Sequence, residues 1–402
     1  MPEKEDLTVA EECGRHQGET SWSRARELAR GLGETRGCPV ADLPLAETLG
    51  GRLAEDLKAL VGLPAFDASA MDGYAVAGPS PWRRAGTQLA GTPLAGLSLT
   101  AGEAVEIATG ARVPKGTESV LPYEHAEVVD GWVSGEAQPG RHVRWSGEET
   151  APGETVLEAG TEVTPAVLGL SASLGHDALP VRLPAVEVLV TGDEITAEGL
   201  PGEGTVRDAI GPLMPGVVSW AGGRLLRTRH LGDGHDDLHE ALIGGGADVV
   251  VACGSSSKGP ADHLRAVLNG LGANVVVDGV ACRPGHPQLL AHTEETVFVG
   301  LPGNPNAALV ASLTLLVPLL AGMVGRDEAT LGLGRAPLAG EVRGRSGGGT
   351  RLMAVRVVDG RAEPVGHDRP GSLRGAALAQ AYAVVPPEGP GADVELLRLP
   401  GA

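Results

Sequence analysis

Between Arg182 and Gly325 the chain alternates short apolar runs with segments of helical period, and no other feature restricts the fold as much. Val186-Glu187-Val188-Leu189-Val190 reads as a strand that ends in Thr191-Gly192-Asp193-Glu194. Asp248-Val249-Val250-Val251-Ala252-Cys253 is almost entirely apolar, as expected of a strand covered on both faces. Asn274 to Val280 and Thr296 to Leu301 read as two more strands. Helical segments fall around Leu213–Ala221, Asp236–Ile243 and Pro260–Leu271; in the last, Leu264, Val267, Leu268 and Leu271 share one side. Such alternation predicts a doubly wound α/β domain. The uncharged run Ala307–Gly325 is about long enough to span a bilayer. It contains Pro318, follows a strand-like run and lacks flanking Lys/Arg bias, so it reads as a helix buried against the sheet; no membrane is expected.

The flanking regions differ. Ser21–Gly31 and Leu45–Leu57 read as helices, the second because Leu45, Leu49 and Leu53 recur at four-residue spacing. From Pro64 to Glu149 short apolar runs alternate with Gly, Pro and Thr, a β-rich insertion. Thr164-Pro165 supplies an N-cap and a proline at the first helical position, and Gly175 a stop. Beyond Asp327 come Gly-rich short strands such as Met353–Val358 and Tyr382–Val385, read as a small β-domain. The expected layout is a disordered leader over 1–19, a linking domain over 20–63 and 150–180, the insertion over 64–149, the α/β domain over 181–327 and a terminal β-domain over 328–402. A net charge of −19 excludes a nucleic-acid footprint. It also requires that any anionic substrate be held by local basic groups or helix N-termini. The four cysteines form no Cys-x-x-Cys pair, so reduced thiols in a cytoplasmic setting are expected, not zinc or a disulfide framework.

Chemistry gathers at a few places. Phe66 to Val76 holds one of two Phe and one of three Tyr together with Asp67 and Asp72. Asp72-Gly73 is a tight turn; alone, it reads as an ordinary hairpin turn. In open α/β sheets ligands bind beyond the C-terminal strand ends, and three loops leave there. They are Thr191-Gly192-Asp193-Glu194, Gly254-Ser255-Ser256-Ser257-Lys258-Gly259 followed by Asp262, and Leu301-Pro302-Gly303-Asn304-Pro305. The last two lead into helices, whose first N–H groups suit an anion. Cys282-Arg283-Pro284-Gly285-His286-Pro287 adds Arg283, always charged, and His286, charged when protonated. His235 and His239 stand at i, i+4 without a metalloprotease glutamate and read as a solvated helix face. Neither a Walker A loop nor a G-x-S-x-G elbow occurs, which excludes a serine hydrolase of that type.

The ordered set resembles the MoeA / gephyrin E-domain family, the molybdopterin molybdenumtransferases. It comprises Ser69-Ala70-Met71-Asp72-Gly73-Tyr74-Ala75-Val76, Ile107-Ala108-Thr109-Gly110-Ala111 with Val113-Pro114, and Gly147-Glu148-Glu149, followed by the strand-end loops and Arg283-Pro284-Gly285-His286-Pro287. The resemblance covers nearly everything from about residue 20. It implies insertion of molybdate into adenylylated molybdopterin, with release of AMP and help from Mg²⁺ or a similar divalent cation. It implies Asp72, Thr109, Glu194, Asp233 and Asp262 as catalytic residues, the last three also as metal ligands. Gly254, Ser255, Ser257, Arg283, His286, Pro302, Gly303, Asn304, Pro305, Arg351 and Ser372 are implied as cofactor-binding. It further implies a barrel-like C-terminal domain, a homodimer formed through the linking domain, and, as partners, a molybdopterin adenylyltransferase and recipient molybdoenzymes. The chain departs from the family pattern in the serine loop, at Glu149, at Ala209-Ile210 and around Asp278-Gly279, where basic character is reduced. The alternatives are a weakened paralogue that binds or carries the cofactor, and a gephyrin-like scaffold.

Overall fold

The structure, a computed structural model, describes residues 19–94, 96–254, 263–327, 332–340 and 349–401. All but the last residue of the expected leader lies outside this set. Among the described residues the α-helices are α1 (Trp22–Arg36), α2 (Pro165–Ser173), α3 (Met214–Trp220), α4 (His235–Ile243), α5 (Leu264–Gly270), α6 (Pro305–Ala311), α7 (Val317–Val324) and α8 (Arg374–Leu378). The chain forms two compact units: the smaller takes Asp42–Leu49 and Leu53–Pro180, and the larger contains α1, Gly50–Arg52 and everything from Val181 onward.

The larger unit is built on a six-stranded sheet. Its order is Arg224–Leu231, Ala185–Thr191, Val249–Cys253, Val297–Leu301, Leu289–His292 and Asn274–Asp278. The first four strands are parallel and the last two run antiparallel. Val186, Val188 and Val190 pack on one face with α3 and α7; Leu189, Val250, Ala252 and Phe298 pack on the other with α4 and α5. Burial on both faces is the reason these strands read as uninterrupted apolar runs. Glu187 is the exception: fully buried, it holds Arg227 at 2.8 and 3.0 Å, with Arg229 at 3.6 Å.

The apolar run becomes α6, a wide π turn at Ser312–Leu316, and α7, with every side chain from Asn306 to Val324 buried. Pro318 has no N–H to give, and it falls where the helix restarts. By length and composition Pro305–Val324 could cross a membrane, yet it lies wholly inside the unit. Helix α1 packs along it so closely that a Cβ at Gly33 would overlap the Leu319 carbonyl oxygen, and one at Gly322 the Arg30 carbonyl. A second sheet joins Val280–Arg283 in parallel to Thr350–Val358, and continues through Ala381–Val385, Val394–Arg398 and Gly332–Ala336.

The smaller unit is β-rich. Its main sheet has the order Ala126–Val129, Trp132–Gly135, Trp82–Gln88, Glu103–Ile107, Gly73–Ala77, Ser119–Pro122, with an apolar cluster on each face. Helix α2 starts as the sequence predicts: Thr164 Oγ1 accepts the Val167 N–H at 3.3 Å.

One expected helix is absent. Leu45–Leu57 forms a short 3₁₀ turn (Leu45–Glu47) and two short strands, Arg52–Leu53 and Leu57–Lys58. Gly50 stands at φ +82°, which stops a helix. Leu49 is 46% exposed while Leu53 is 2% exposed, so the leucines share no face.

Gly33→Ala is expected to lower stability by about 1–3 kcal/mol by overpacking. Gly31→Ala, whose Cβ meets nothing within 4 Å, should leave the melting temperature unchanged or slightly raised. Thermal unfolding of the two variants checks both; equal behaviour would refute the close helix contact.

Candidate functional site

In the smaller unit, Asp72 is more than a hairpin turn. Its Oδ1 accepts the Thr109 N–H at 2.7 Å, tying two motifs far apart in sequence. Gly110 N–H donates to Ser69 O at 2.8 Å, and Ser69 N–H to Ala111 O at 2.9 Å. Asp67 Oδ1 accepts the Ser146 N–H at 2.8 Å, drawing in the segment before Gly147-Glu148-Glu149. Only glycine fits at Gly73, because a Cβ there would overlap the Leu121 carbonyl. Asp72 and Thr109 are exposed, and the bond to Thr109 uses only one of the two Asp72 carboxylate oxygens. Two residues beside them carry signals the sequence hid. Tyr123 N–H donates to Asp72 O at 3.3 Å, and its hydroxyl donates to Glu106 Oε1 at 2.9 Å. Burial, then the Glu106 carboxylate, pushes the Tyr123 phenol up to about 12, so it stays a hydrogen-bond donor at neutral pH.

In the larger unit the strand ends from which the three loops leave lie side by side. Gly254 N–H donates to Leu301 O at 3.0 Å, and Gly192 N–H to Leu231 O at 3.1 Å. A Cβ at Gly303 would stand 3.5 Å from Gly254 Cα. Asp193 and Asp233 hold each other across the ends of two strands: Asp233 N–H donates to Asp193 Oδ1 at 3.2 Å, and Asp193 N–H to Asp233 Oδ2 at 3.4 Å. The Glu194 carboxylate folds back over Gly192. Ser255, Ser257 and Asp262 lie outside the described residues. Among the described residues no three ligating side chains already converge on a metal position. That includes His235, whose ring centroid lies 6.4 Å from that of His239 and 5.9 Å from that of His263.

The Pro302-Gly303-Asn304-Pro305 loop corrects an expectation. The helix N-terminus it leads into does not offer its first N–H groups to an anion. Asn306 and Ala307 donate instead to the Pro370 carbonyl, at 2.9 and 3.2 Å.

The basic residues are assembled by register. In the parallel pair of Val280–Arg283 with Thr350–Val358, Arg283 stands directly opposite Arg351, so both side chains leave the same face. Arg351 Nη2 meets Asp368 Oδ2 at 2.7 Å. Arg283 is exposed and makes no ion pair among the described residues. His286 Nε2 meets Glu19 Oε1 at 3.0 Å. Ser372 N–H donates to Arg369 O at 3.0 Å, and its hydroxyl oxygen accepts the Arg374 N–H at 3.4 Å.

Sequence reasoning missed a buried carboxylate under the acidic loops. Asp208 Oδ1 accepts the N–H groups of Ile210 and Gly211, both at 2.9 Å, and Oδ2 accepts from His230 Nε2 at 2.8 Å. This orients His230, three residues before Asp233. The Asp-x-x-Gly turn was readable; its pairing with a distant strand was not. Burial, then the charge of Asp208, raises the Cys253 thiol well above its ordinary range, so Cys253 is a packing residue and not a nucleophile.

An α/β unit with ligand loops at its strand ends and a β-rich companion defines a ligand-binding class. Residues 20–175 match the MoeA N-terminal region (domain I and II), and residues 187–322 match the probable molybdopterin binding domain. Molybdopterin molybdenumtransferase 2 of Mycobacterium tuberculosis is 36% identical over 73% of this chain and 77% of its own length. Molybdopterin molybdenumtransferase of Haemophilus influenzae is 34% identical over 71% and 73%. The crystal structure of the molybdopterin biosynthesis MoeA protein from Pyrococcus horikosii matches 95% of this chain and 99% of its own, at 26% identity and a TM-score of 0.64. The chain belongs to the MoeA family.

Asp208→Ala strands two buried N–H groups and His230, and is expected to cost about 1–3 kcal/mol. Asp72→Ala removes one exposed bond, to the Thr109 N–H, and is expected to cost less, about 0.5–1 kcal/mol. Denaturant unfolding of both variants gives the comparison, and an Asp72→Ala loss as large as that of Asp208→Ala would make Asp72 chiefly a structural residue.

Proposed function

We propose that this chain is a molybdopterin molybdenumtransferase that inserts molybdate into adenylylated molybdopterin and releases AMP. Relatives bearing that name match it at 25–36% identity over most of its length. The observation that carries the reading is the side-by-side placement of Arg283 and Arg351 in a chain of net charge −19. Two guanidinium groups on one face repel unless an anion joins them; Asp368 answers one, and a tetrahedral oxyanion would answer both.

The acidic edge has the complementary task. Asp193 and Asp233 are pinned through one oxygen each, leaving hard oxygens at the strand ends. Magnesium favours one or two carboxylates plus water and substrate phosphate over a full protein cage, so this donor set fits Mg²⁺, with Glu194 next in sequence to Asp193 and Asp262 retained as a ligand on the family resemblance alone. When bound, the ion would neutralise the phosphates of the adenylylated substrate. The protein's own share is positioning: in the larger unit the acidic loops and Gly254 hold the phosphate end and Arg283 and Arg351 hold the oxyanion, while Asp72 and Thr109 of the smaller unit keep the catalytic role that the family resemblance implies. Ser255, Ser257, His286, Pro302, Gly303, Asn304, Pro305 and Ser372 complete the proposed binding surface. A homodimer, a cytoplasmic setting and exchange with an adenylyltransferase and recipient molybdoenzymes belong to the same proposal; the free thiols of Cys38, Cys253 and Cys282 support the setting. One observation favours a second reading, a carrier with little turnover: His286 is engaged by Glu19.

Incubation with adenylylated molybdopterin and Mg²⁺ separates the two. Molybdate-dependent AMP release, lost on chelation, is the expected result; tight binding without AMP release would replace the transferase reading with the carrier. Arg283→Ala should raise the molybdate needed for half-maximal rate about tenfold or more, with the adenylylated substrate requirement unchanged. An unaltered molybdate dependence would remove Arg283 from the site.

A further inference from the structure

Asn306 occupies the second position of α6 and is 2% exposed. A polar side chain so deeply buried must find partners, and its side-chain hydrogen bonds go to one short loop and to the strand bearing Tyr382. Its backbone N–H donates to Pro370 O at 2.9 Å, and Nδ2 donates to Arg369 O at 3.2 Å. Its Oδ1 accepts from the hydroxyl of Tyr382, which is 1% exposed. The neighbouring Ala307 N–H doubles the hold on Pro370 at 3.2 Å. A Cβ at Gly371 would stand 3.4 Å from Asn304 Oδ1, so the loop also lies against the Asn304 side chain.

The loop's two ends carry the groups that matter. Asp368 holds Arg351 at 2.7 Å, and Ser372 leads into α8. Tyr382 is in register with Ala354 on the strand that bears Arg351. One amide therefore ties the loop to the strand next to the one whose arginine that loop engages. Its partners are loop carbonyls and a tyrosine hydroxyl, so it sets loop position as well as stability.

We infer that Asn306 and Tyr382 are positioning residues for the oxyanion. They lock residues 368–372 so that Asp368 orients the Arg351 guanidinium. The inference rests on the molybdenumtransferase reading.

The test uses the full chain with Asn306→Leu and Tyr382→Phe combined. Replacing both partners of a buried hydrogen bond by apolar groups of similar shape is close to neutral for stability, so the double variant is expected to fold and melt near wild type. Its half-saturating molybdate should rise about tenfold, while its half-saturating adenylylated molybdopterin stays as in wild type. Tyr382→Phe alone keeps the Asn306–Arg369 bond and should give a smaller rise. Wild-type molybdate dependence in the double variant would overturn the inference. Should wild type release no AMP, the functional reading fails first, and amide hydrogen exchange then decides on the lock. Faster exchange confined to Asn306, Ala307 and residues 368–372 upholds it, and unchanged protection overturns it.

Discussion

The buried helix from Pro305 to Val324 is the constraint on which the larger unit depends. A parallel sheet must be covered on both faces, and this helix, apolar on every side, cannot face water anywhere along its length. It is therefore enclosed by the sheet and by α1, and the Gly33–Leu319 and Gly322–Arg30 contacts show how little space is left. Such packing fixes the height of the helix start relative to the strand ends. The Pro302–Pro305 loop, the Pro370 cap and the loop carrying Asp368 inherit that position. A site assembled from loops gains its precision from the rigid element beneath them.

What could be read from the sequence follows from how local each signal is. The strands at 186–190, 248–253 and 296–301 announce themselves because two-sided burial leaves few polar interruptions. The Thr164-Pro165 start of α2 is a local chemical signal, and it was readable for the same reason. Leu45–Leu57 misled because leucines four residues apart imitate a helical face, whereas Gly50 at positive φ breaks the backbone between them. Asn306 gave no warning: in a helix's first turn an asparagine reads as solvated, and only the tertiary fold brings Tyr382 and Arg369 onto it. Arg283 with Arg351, and Asp208 with His230, are likewise products of strand register and long-range pairing.

The placement of charge resolves the tension between an acidic chain and an anionic substrate. A net charge of −19 disfavours anions at long range, but salt screens that field within roughly 8–10 Å. What an oxyanion meets at the site is set by near neighbours. Parallel register supplies two arginines on one face without needing a basic sequence run, and a guanidinium stays charged at every relevant pH. The Asp278 carboxylate is itself answered by Arg265 Nε at 2.9 Å, so on the proposed function it sets less negative charge against an oxyanion than a free carboxylate would.

The same logic explains why the helix N-terminus is closed. An open α6 would present N–H dipoles as a second, weaker anion site next to the arginines, and the oxyanion could settle in either. Giving those N–H groups to Pro370 removes the competing site and converts them into an anchor for the loop that engages Arg351. In the proposed function, affinity given up at the helix end is exchanged for a single defined orientation at the paired guanidinium groups, and orientation is what a positioning mechanism requires.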